Sequence, residues 1–88
     1  MKTQEHKSAM HHTIEIDPFE DRDYFNGYVM IYKRKGMDLR KPDVWSPATI
    51  GWYGSNDHTQ DMARKFAQAL TVAVALAENL DAQYQPTE

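Results

Sequence analysis

Residues 57–84 read DHTQDMARKFAQALTVAVALAENLDAQY, and this stretch decides the fold. Its apolar residues recur at steps of three and four, the spacing that places side chains on one face of a helix. The residues of this face are Met62, Phe66, Ala69, Ala73, Ala77, Leu80 and Tyr84. The segment 67–77 is apolar almost all round, so a second side of the helix also needs cover. We therefore predict one long helix that is buried against a sheet and against a further surface.

The start of this helix has two candidate caps. Asp57 can accept from the first backbone N–H groups, and Gln60, three residues on, completes a capping box. Thr59 is the alternative cap. Asp61 in the first turn suits the positive end of the helix dipole, and Pro86 follows the other end.

Three segments before the helix have patterns typical of β-strands. Residues 13–17 alternate between polar and apolar, and residues 28–34 are rich in aromatic and β-branched side chains. Residues 48–53 form the third predicted strand. Gly51 within this strand predicts a bulge or a close backbone approach.

The remaining segments set the domain organisation. We expect a flexible arm at residues 1–12, a single domain at 13–84 and a short tail at 85–88. Charged connections at 20–27, which closes on an Asn-Gly turn, and at 37–46 join the strands. The order β-β-β-α predicts an α+β fold with a three-stranded antiparallel sheet packed on one long C-terminal helix.

Composition limits the classes of function. The chain has 88 residues, a net charge of −3 and no cysteine, which excludes disulfides and thiolate metal sites. A dedicated nucleic-acid binder usually has a basic excess. The polar N-terminus carries no apolar core of signal-peptide length, and the longest apolar run is far short of the roughly 20 residues that span a bilayer. We expect a cytoplasmic protein without membrane association.

Catalytic and metal-binding patterns are weak. His11 and His12, with Glu15 and Asp17, are the nearest approach to a metal cluster, but adjacent histidines on a strand point to opposite faces. The serines lie in no nucleophile-elbow pattern, and the glycines form no phosphate loop. We interpret the histidines as surface residues and predict no enzyme activity, no metal and no cofactor. The acidic segment 15–23 is interpreted as a solvated edge, or alternatively as a mimic of nucleic-acid phosphates that docks on a basic partner.

A candidate partner surface combines tyrosines with basic residues. Alternation places Tyr28, Met30 and Tyr32 on one face of the central strand. The candidate residues of this partner surface are Tyr28, Tyr32, Tyr53, Lys33, Arg34, Lys35, Arg40 and Lys41. Tyrosine and arginine are typical of protein-interface hot spots, and aromatics among basic residues also stack single-stranded nucleic acid.

The second apolar stripe of the helix predicts a homodimer. Its residues are Gln68, Val72, Leu76 and Asn79. The many neighbouring alanines would let two helices approach closely. Joining of two sheet faces is the alternative form of the dimer, and strands that curl around the helix would instead bury both stripes in a monomer.

The segment 52–80 carries a family resemblance. A strand ending on Trp52 and Gly54-Ser55 leads into a helix with the core ARKFAQAL at 63–70. This pattern resembles the C-terminal part of small uncharacterised proteins of bacteriophages and other mobile elements, which implies a phage or prophage setting and no particular activity. The β-β-β-α order also resembles the double-stranded-RNA-binding domain. That domain opens its last helix on lysines, whereas residues 57–61 here are acidic, which argues against RNA binding of that kind.

Together these features predict a small non-enzymatic binding module. We expect a homodimeric accessory protein of phage or prophage type that acts through protein–protein interaction with a host protein. The alternative is a nucleic-acid-binding module that uses the same partner surface: the basic loop of Lys33, Arg34, Lys35, Arg40 and Lys41, and the sheet face of Tyr28, Tyr32 and Tyr53.

Overall fold

The computed structural model describes residues 1–19 and 27–84. Its elements are β1 (Lys2–Lys7), β2 (His11–Asp17), β3 (Gly27–Arg34), β4 (Thr49–Gly54) and α1 (Gln60–Gln83). The four strands form one antiparallel sheet in chain order, and α1 packs on one face of it. The predicted α+β class is confirmed. The predicted turn at Asn26, the acidic residues 20–23 and the predicted tail at 85–88 lie outside the described residues.

The sheet has four strands, so the prediction of three is wrong. The additional strand, β1, lies inside the segment that we expected to be a flexible arm, and it pairs with β2 from Lys2 opposite Asp17 to Lys7 opposite His12. All six residues of β1 are exposed. A strand with neither face covered needs no alternation of polar and apolar residues, because its backbone hydrogen bonds to β2 hold it in place.

The core lies between α1 and the face of the sheet that contains Ile14, Ile16, Val29 and Ile31. The predicted apolar face of the helix is confirmed, with Phe66 and Tyr84 partly buried. Its buried members are Met62, Ala69, Ala73, Ala77 and Leu80. The small alanine side chains let the helix axis approach the branched residues of the strands closely.

The helix begins later than the first candidate cap. Thr59 is the N-cap, and its hydroxyl accepts from the N–H of Met62 at 3.2 Å. Asp57 instead belongs to the preceding turn, where its backbone N–H donates to the Ser55 hydroxyl at 3.1 Å. The capping box of Asp57 and Gln60 is therefore wrong, and the alternative cap is confirmed. Among the described residues, no helix is both long enough and apolar enough to cross a membrane.

Two glycines of the β3–β4 pair differ in their constraints. Gly27 has a φ of +139°, and a Cβ at this position would lie 2.5 Å from the Tyr53 carbonyl oxygen. Gly51 pairs regularly with Met30, and the register continues unbroken on both sides. The predicted bulge at Gly51 is therefore wrong. The missing side chain instead leaves room for the Tyr53 ring, which passes 3.6–3.8 Å from the Cβ position.

Candidate functional site

The face of the sheet opposite α1 is uncovered by any described element. Strand alternation places Tyr28, Met30, Tyr32 and Arg34 of β3 on it, because Val29, Ile31 and Lys33 face the helix. The register brings Thr13 of β2 beside Tyr32. We refer to this surface as the open face, and its central residues are Thr13, Tyr28, Met30, Tyr32, Arg34 and Tyr53.

Aromatic contacts organise the open face. Tyr28 lies opposite Tyr53 in the register, and their rings stack with centroids 5.0 Å apart and planes inclined by 28°. The guanidinium of Arg34 lies 5.5 Å from the centre of the Tyr32 ring, within the range of a cation–π contact. These contacts restrict side-chain rotation, so the aromatic surface exists before any ligand arrives.

A depression of about 380 Å³ lies at the β1–β2 turn end of the open face. The residues that line it include His6, Lys7, His11, Thr13, Tyr32 and Arg34. The described lining contains no carboxylate. Lys7 lies opposite the buried His12, so its side chain is on the helix side of β1, where its ammonium lies 3.5 Å from Glu5. The open face becomes acidic away from the depression, where Glu15, opposite Met30, and Asp17 lie beside Gln4 and Lys2. The charge of the open face is thus cationic at one end and acidic at the other.

The structure brings together only part of the predicted partner surface. Arg34 joins the three tyrosines on the open face, and Arg40 and Lys41 are exposed in the loop between β3 and β4. Lys35 is half-buried, 3.9 Å from Asp43. Lys33 is wrongly placed by the prediction, since its side chain is 2% exposed beneath the helix. Lys33 has the same alternation phase as the core residues Val29 and Ile31 of β3, and this phase could have predicted its burial from the sequence.

Buried Lys33 forms an ion pair with the half-exposed Asp81 that the sequence did not predict. Its ammonium donates to Asp81 at 2.8 Å, and the same carboxylate oxygen accepts from the N–H of Ala48 at 2.8 Å. The bond from Lys33, followed by the bond from Ala48, holds the pKa of Asp81 below its ordinary value. Asp81 lies in the last turn of α1, whose partial negative charge also favours a buried cation.

His12 forms a second buried network on the helix side. Its Nε2 bonds to the carboxylate of Glu5, and its Nδ1 bonds to the Tyr84 hydroxyl at 2.9 Å. Because a carboxylate only accepts, the N–H at Nε2 of His12 donates to Glu5. The bond from His12 is the main cause of the lowered pKa of Glu5. With 1% exposure, His12 has no access to a substrate, and the network connects β1, β2 and the end of the helix.

The predicted histidine pair is divided between the two faces of the sheet. His11 is exposed at the end of the open face, and His12 is buried beneath the helix. Within residues 1–19 and 27–84, no group of three or more histidine and acidic side chains could hold a metal ion.

Comparison with protein-family models, with curated proteins and with solved structures finds no match to this chain. The fold and the site define a small α+β domain whose sheet is covered by a helix on one face and carries stacked tyrosines on the other.

Proposed function

We propose that this chain is a non-enzymatic binding module that holds a protein partner on its open face. The observation that carries the proposal is the stacked Tyr28–Tyr53 pair, in line with Tyr32 and Arg34, on a sheet whose other face is already covered. Tyrosine and arginine supply most of the binding energy at many protein interfaces. On a rigid sheet they lose little conformational entropy on binding.

The charge distribution indicates what the partner presents. Arg34 and the two exposed histidines, His6 and His11, suit a partner carboxylate at the depression. Glu15 and Asp17 suit a basic group at the other end. Such a pattern fixes the orientation of the partner, because reversal would place like charges together.

A nucleic-acid strand is the second candidate. The observation that favours it is the Arg34–Tyr32 contact beside His11, since bases stack on tyrosine rings while phosphates pair with nearby cations. Glu15 lies opposite Met30 in the middle of the same face and would repel a phosphate backbone. This carboxylate and the net charge of −3 favour the protein partner.

The test is affinity capture with variants of the two faces. Tagged chain is incubated with bacterial lysate, the source suited to the phage-type setting that the resemblance implies, with and without nuclease and over a range of salt. We expect to recover one protein, in equal amount from the nuclease-treated and the untreated samples. The double variant Tyr32→Thr/Tyr53→Thr, which keeps strand-forming residues, should reduce its recovery by about tenfold or more.

The matched control changes the opposite side of the molecule. Gln68 and Asn79 are exposed on α1, and Gln68→Ala/Asn79→Ala should leave recovery unchanged. Equal recovery by the tyrosine variant would show that the open face is not the binding surface. Material that disappears with nuclease and weakens steeply with salt would establish the nucleic-acid alternative.

A further inference from the structure

The two edges of the sheet differ in chemistry. β1 carries Lys2, Glu5 and Lys7, the charged residues by which proteins protect an edge strand from pairing. β4 reads TIGWYG and contains neither a charge nor a proline. Within the described residues, no strand pairs with the outer edge of β4. This edge therefore has free backbone donors and acceptors without any of the usual protection.

Exposed apolar side chains lie on both sides of the β4 edge. Trp52 points to the helix side, because it lies opposite Val29, and it is 62% exposed. Tyr53 points to the open face and is 50% exposed. Neighbouring large aromatic side chains exposed on an edge strand are typical of an interaction surface.

The helix adds a further apolar residue along this edge. Asp81 bonds to the N–H of Ala48, immediately before β4, so this flank of α1 lies on the β4 side. Val74 lies seven residues earlier, almost two complete turns, and therefore on the same flank. It is 50% exposed. The apolar border of β4 thus extends from the strand to the helix.

We propose that β4 pairs antiparallel with β4 of a second copy of this chain, which joins two four-stranded sheets into one of eight strands. A lone foreign strand would satisfy the backbone of β4 but would leave Val74 uncovered, whereas a second copy brings its own helix to that side. Pairing of β4 with β1 would set an apolar strand against a charged one and would continue without closing. Pairing of like edges closes after two copies.

Symmetry determines which surfaces meet. Antiparallel pairing places the two-fold axis perpendicular to the sheet, so both helices lie on one side and both open faces on the other. Residues that face each other across the axis must have side chains on the same face of the sheet, so the axis passes through a residue position. Pairing along most of β4 then requires that this residue is Gly51 or Trp52. Either register places Trp52 close to the axis. The two Tyr28–Tyr53 pairs then flank the axis and form one continuous aromatic surface, an arrangement that does not depend on the proposed function.

This interface differs from the helix stripe that the sequence predicts. Val72 and Leu76 of that stripe are half-buried against the core of their own domain, so part of their surface already has cover. Gln68 and Asn79 are exposed polar residues that gain little from burial.

Sedimentation analysis of the full chain tests the proposal. We expect a mass of twice 10.2 kDa over roughly 10–500 µM protomer. Trp52→Lys and Trp52→Glu should each give folded monomers, because like charges meet at the axis. A mixture of the two variants should restore the dimer, because Lys then lies beside Glu near the axis in either register. The control Gln4→Lys, on the charged edge strand, should remain dimeric.

Hydrogen exchange supplies a measurement that needs no variant. In the paired sheet all the amides of β4 are protected, whereas a free edge leaves alternate amides of β4 to exchange rapidly. A wild-type mass of 10.2 kDa throughout, or rapid exchange of alternate β4 amides, overturns the proposal. A dimer that persists in Trp52→Lys but dissociates in Gln68→Glu/Asn79→Glu overturns it in favour of the helix stripe.

Discussion

Tyr84 makes two separable contacts at the end of the helix. Its hydroxyl bonds to His12, and its ring lies 4.4 Å from the centre of the Trp45 ring. Tyr84→Phe removes the hydroxyl and keeps the ring, so a buried nitrogen of His12 loses its partner. We expect a loss of about 1 kcal/mol in the free energy of unfolding, measured in urea. Tyr32→Phe on the open face should change it by less than about 0.5 kcal/mol. Equal losses in both variants would contradict the assigned network.

Asp81 should make stability depend on pH in a defined direction. Its pKa is lowered in the folded state, so the ionised carboxylate stabilises the fold at neutral pH, and this contribution is lost as the pH falls through the lowered pKa, below the ordinary 3.8. The stability advantage of wild type over Asp81→Asn should therefore be present at pH 7 and shrink on acidification below about pH 4. Denaturant midpoints across this range measure it.

The control for this titration is an exposed ion pair. Asp43 is 89% exposed and 3.9 Å from Lys35, so Asp43→Asn should differ little from wild type at any pH. A gap between wild type and Asp81→Asn that stays constant with pH would show that the Lys33–Asp81 pair does not act through charge.

Residue type alone misplaced two polar side chains. Lys33 and His12 are hydrophilic, which favoured the surface, yet both have the alternation phase of the core residues of their strands. Their burial depends on partners far along the chain, since Asp81 is 48 residues from Lys33 and Tyr84 is 72 residues from His12. Alternation predicts the side of the sheet, but only the tertiary structure supplies a partner there.

At the scale of the helix, substitutions at Thr59 and at Asp57 test which of the two residues is the N-cap of α1. Thr59→Ala removes the acceptor for the Met62 N–H and should reduce the free energy of unfolding by about 1 kcal/mol, whereas Thr59→Ser should retain most of it. Asp57→Ala should have a small effect, because its side chain caps nothing in the structure. Thermal denaturation of the three variants gives the comparison. A larger loss at Asp57 would reverse the assignment.

At the scale of the strands, alanine substitutions at Gly27 and Gly51 can be compared. The first adds a methyl group at a strained backbone position, and the second adds it at an ordinary one. Gly27→Ala combines a φ of +139° with a contact of 2.5 Å to a backbone oxygen, so we expect a loss of about 2 kcal/mol or more. Gly51→Ala meets only ordinary contacts with the Tyr53 ring and should cost far less. Chemical denaturation of both variants tests this, and a greater loss for Gly51→Ala would contradict it.

Most elements of the fold could be predicted from the periodicity of apolar residues in the sequence, but β1 could not. Strands β2 to β4 and helix α1 each cover one apolar face, and this requirement leaves a period of two or 3.6 in the sequence. β1 covers no apolar face, so KTQEHK carries no such pattern, and its structure depends on pairing with β2. The sequence predicts the start of α1 too early, because both Asp57 and Thr59 are suitable N-cap residues. In the structure Asp57 belongs to the turn at Ser55, which leaves Thr59 as the cap.

For the whole molecule, the candidate site was predictable where it rests on alternation within a strand. Alternation assigned Tyr28, Tyr32 and Tyr53 to one face, and the register of β3 and β4 sets Tyr53 opposite Tyr28. The depression could not be predicted, because His6 and Lys7 come from the strand that the sequence does not reveal. The open face is therefore wider at this end than the sequence indicates.

The most direct test of the central claim, that the open face is the binding surface, is tyrosine footprinting of the captured complex. Chemical modification of tyrosines is measured residue by residue in the free and the bound chain. We predict that Tyr32 and Tyr53 lose reactivity on binding, while Tyr84, which packs between His12 and Trp45, is unchanged and serves as the internal standard. Unchanged reactivity of Tyr32 and Tyr53 in a stable complex would contradict the account.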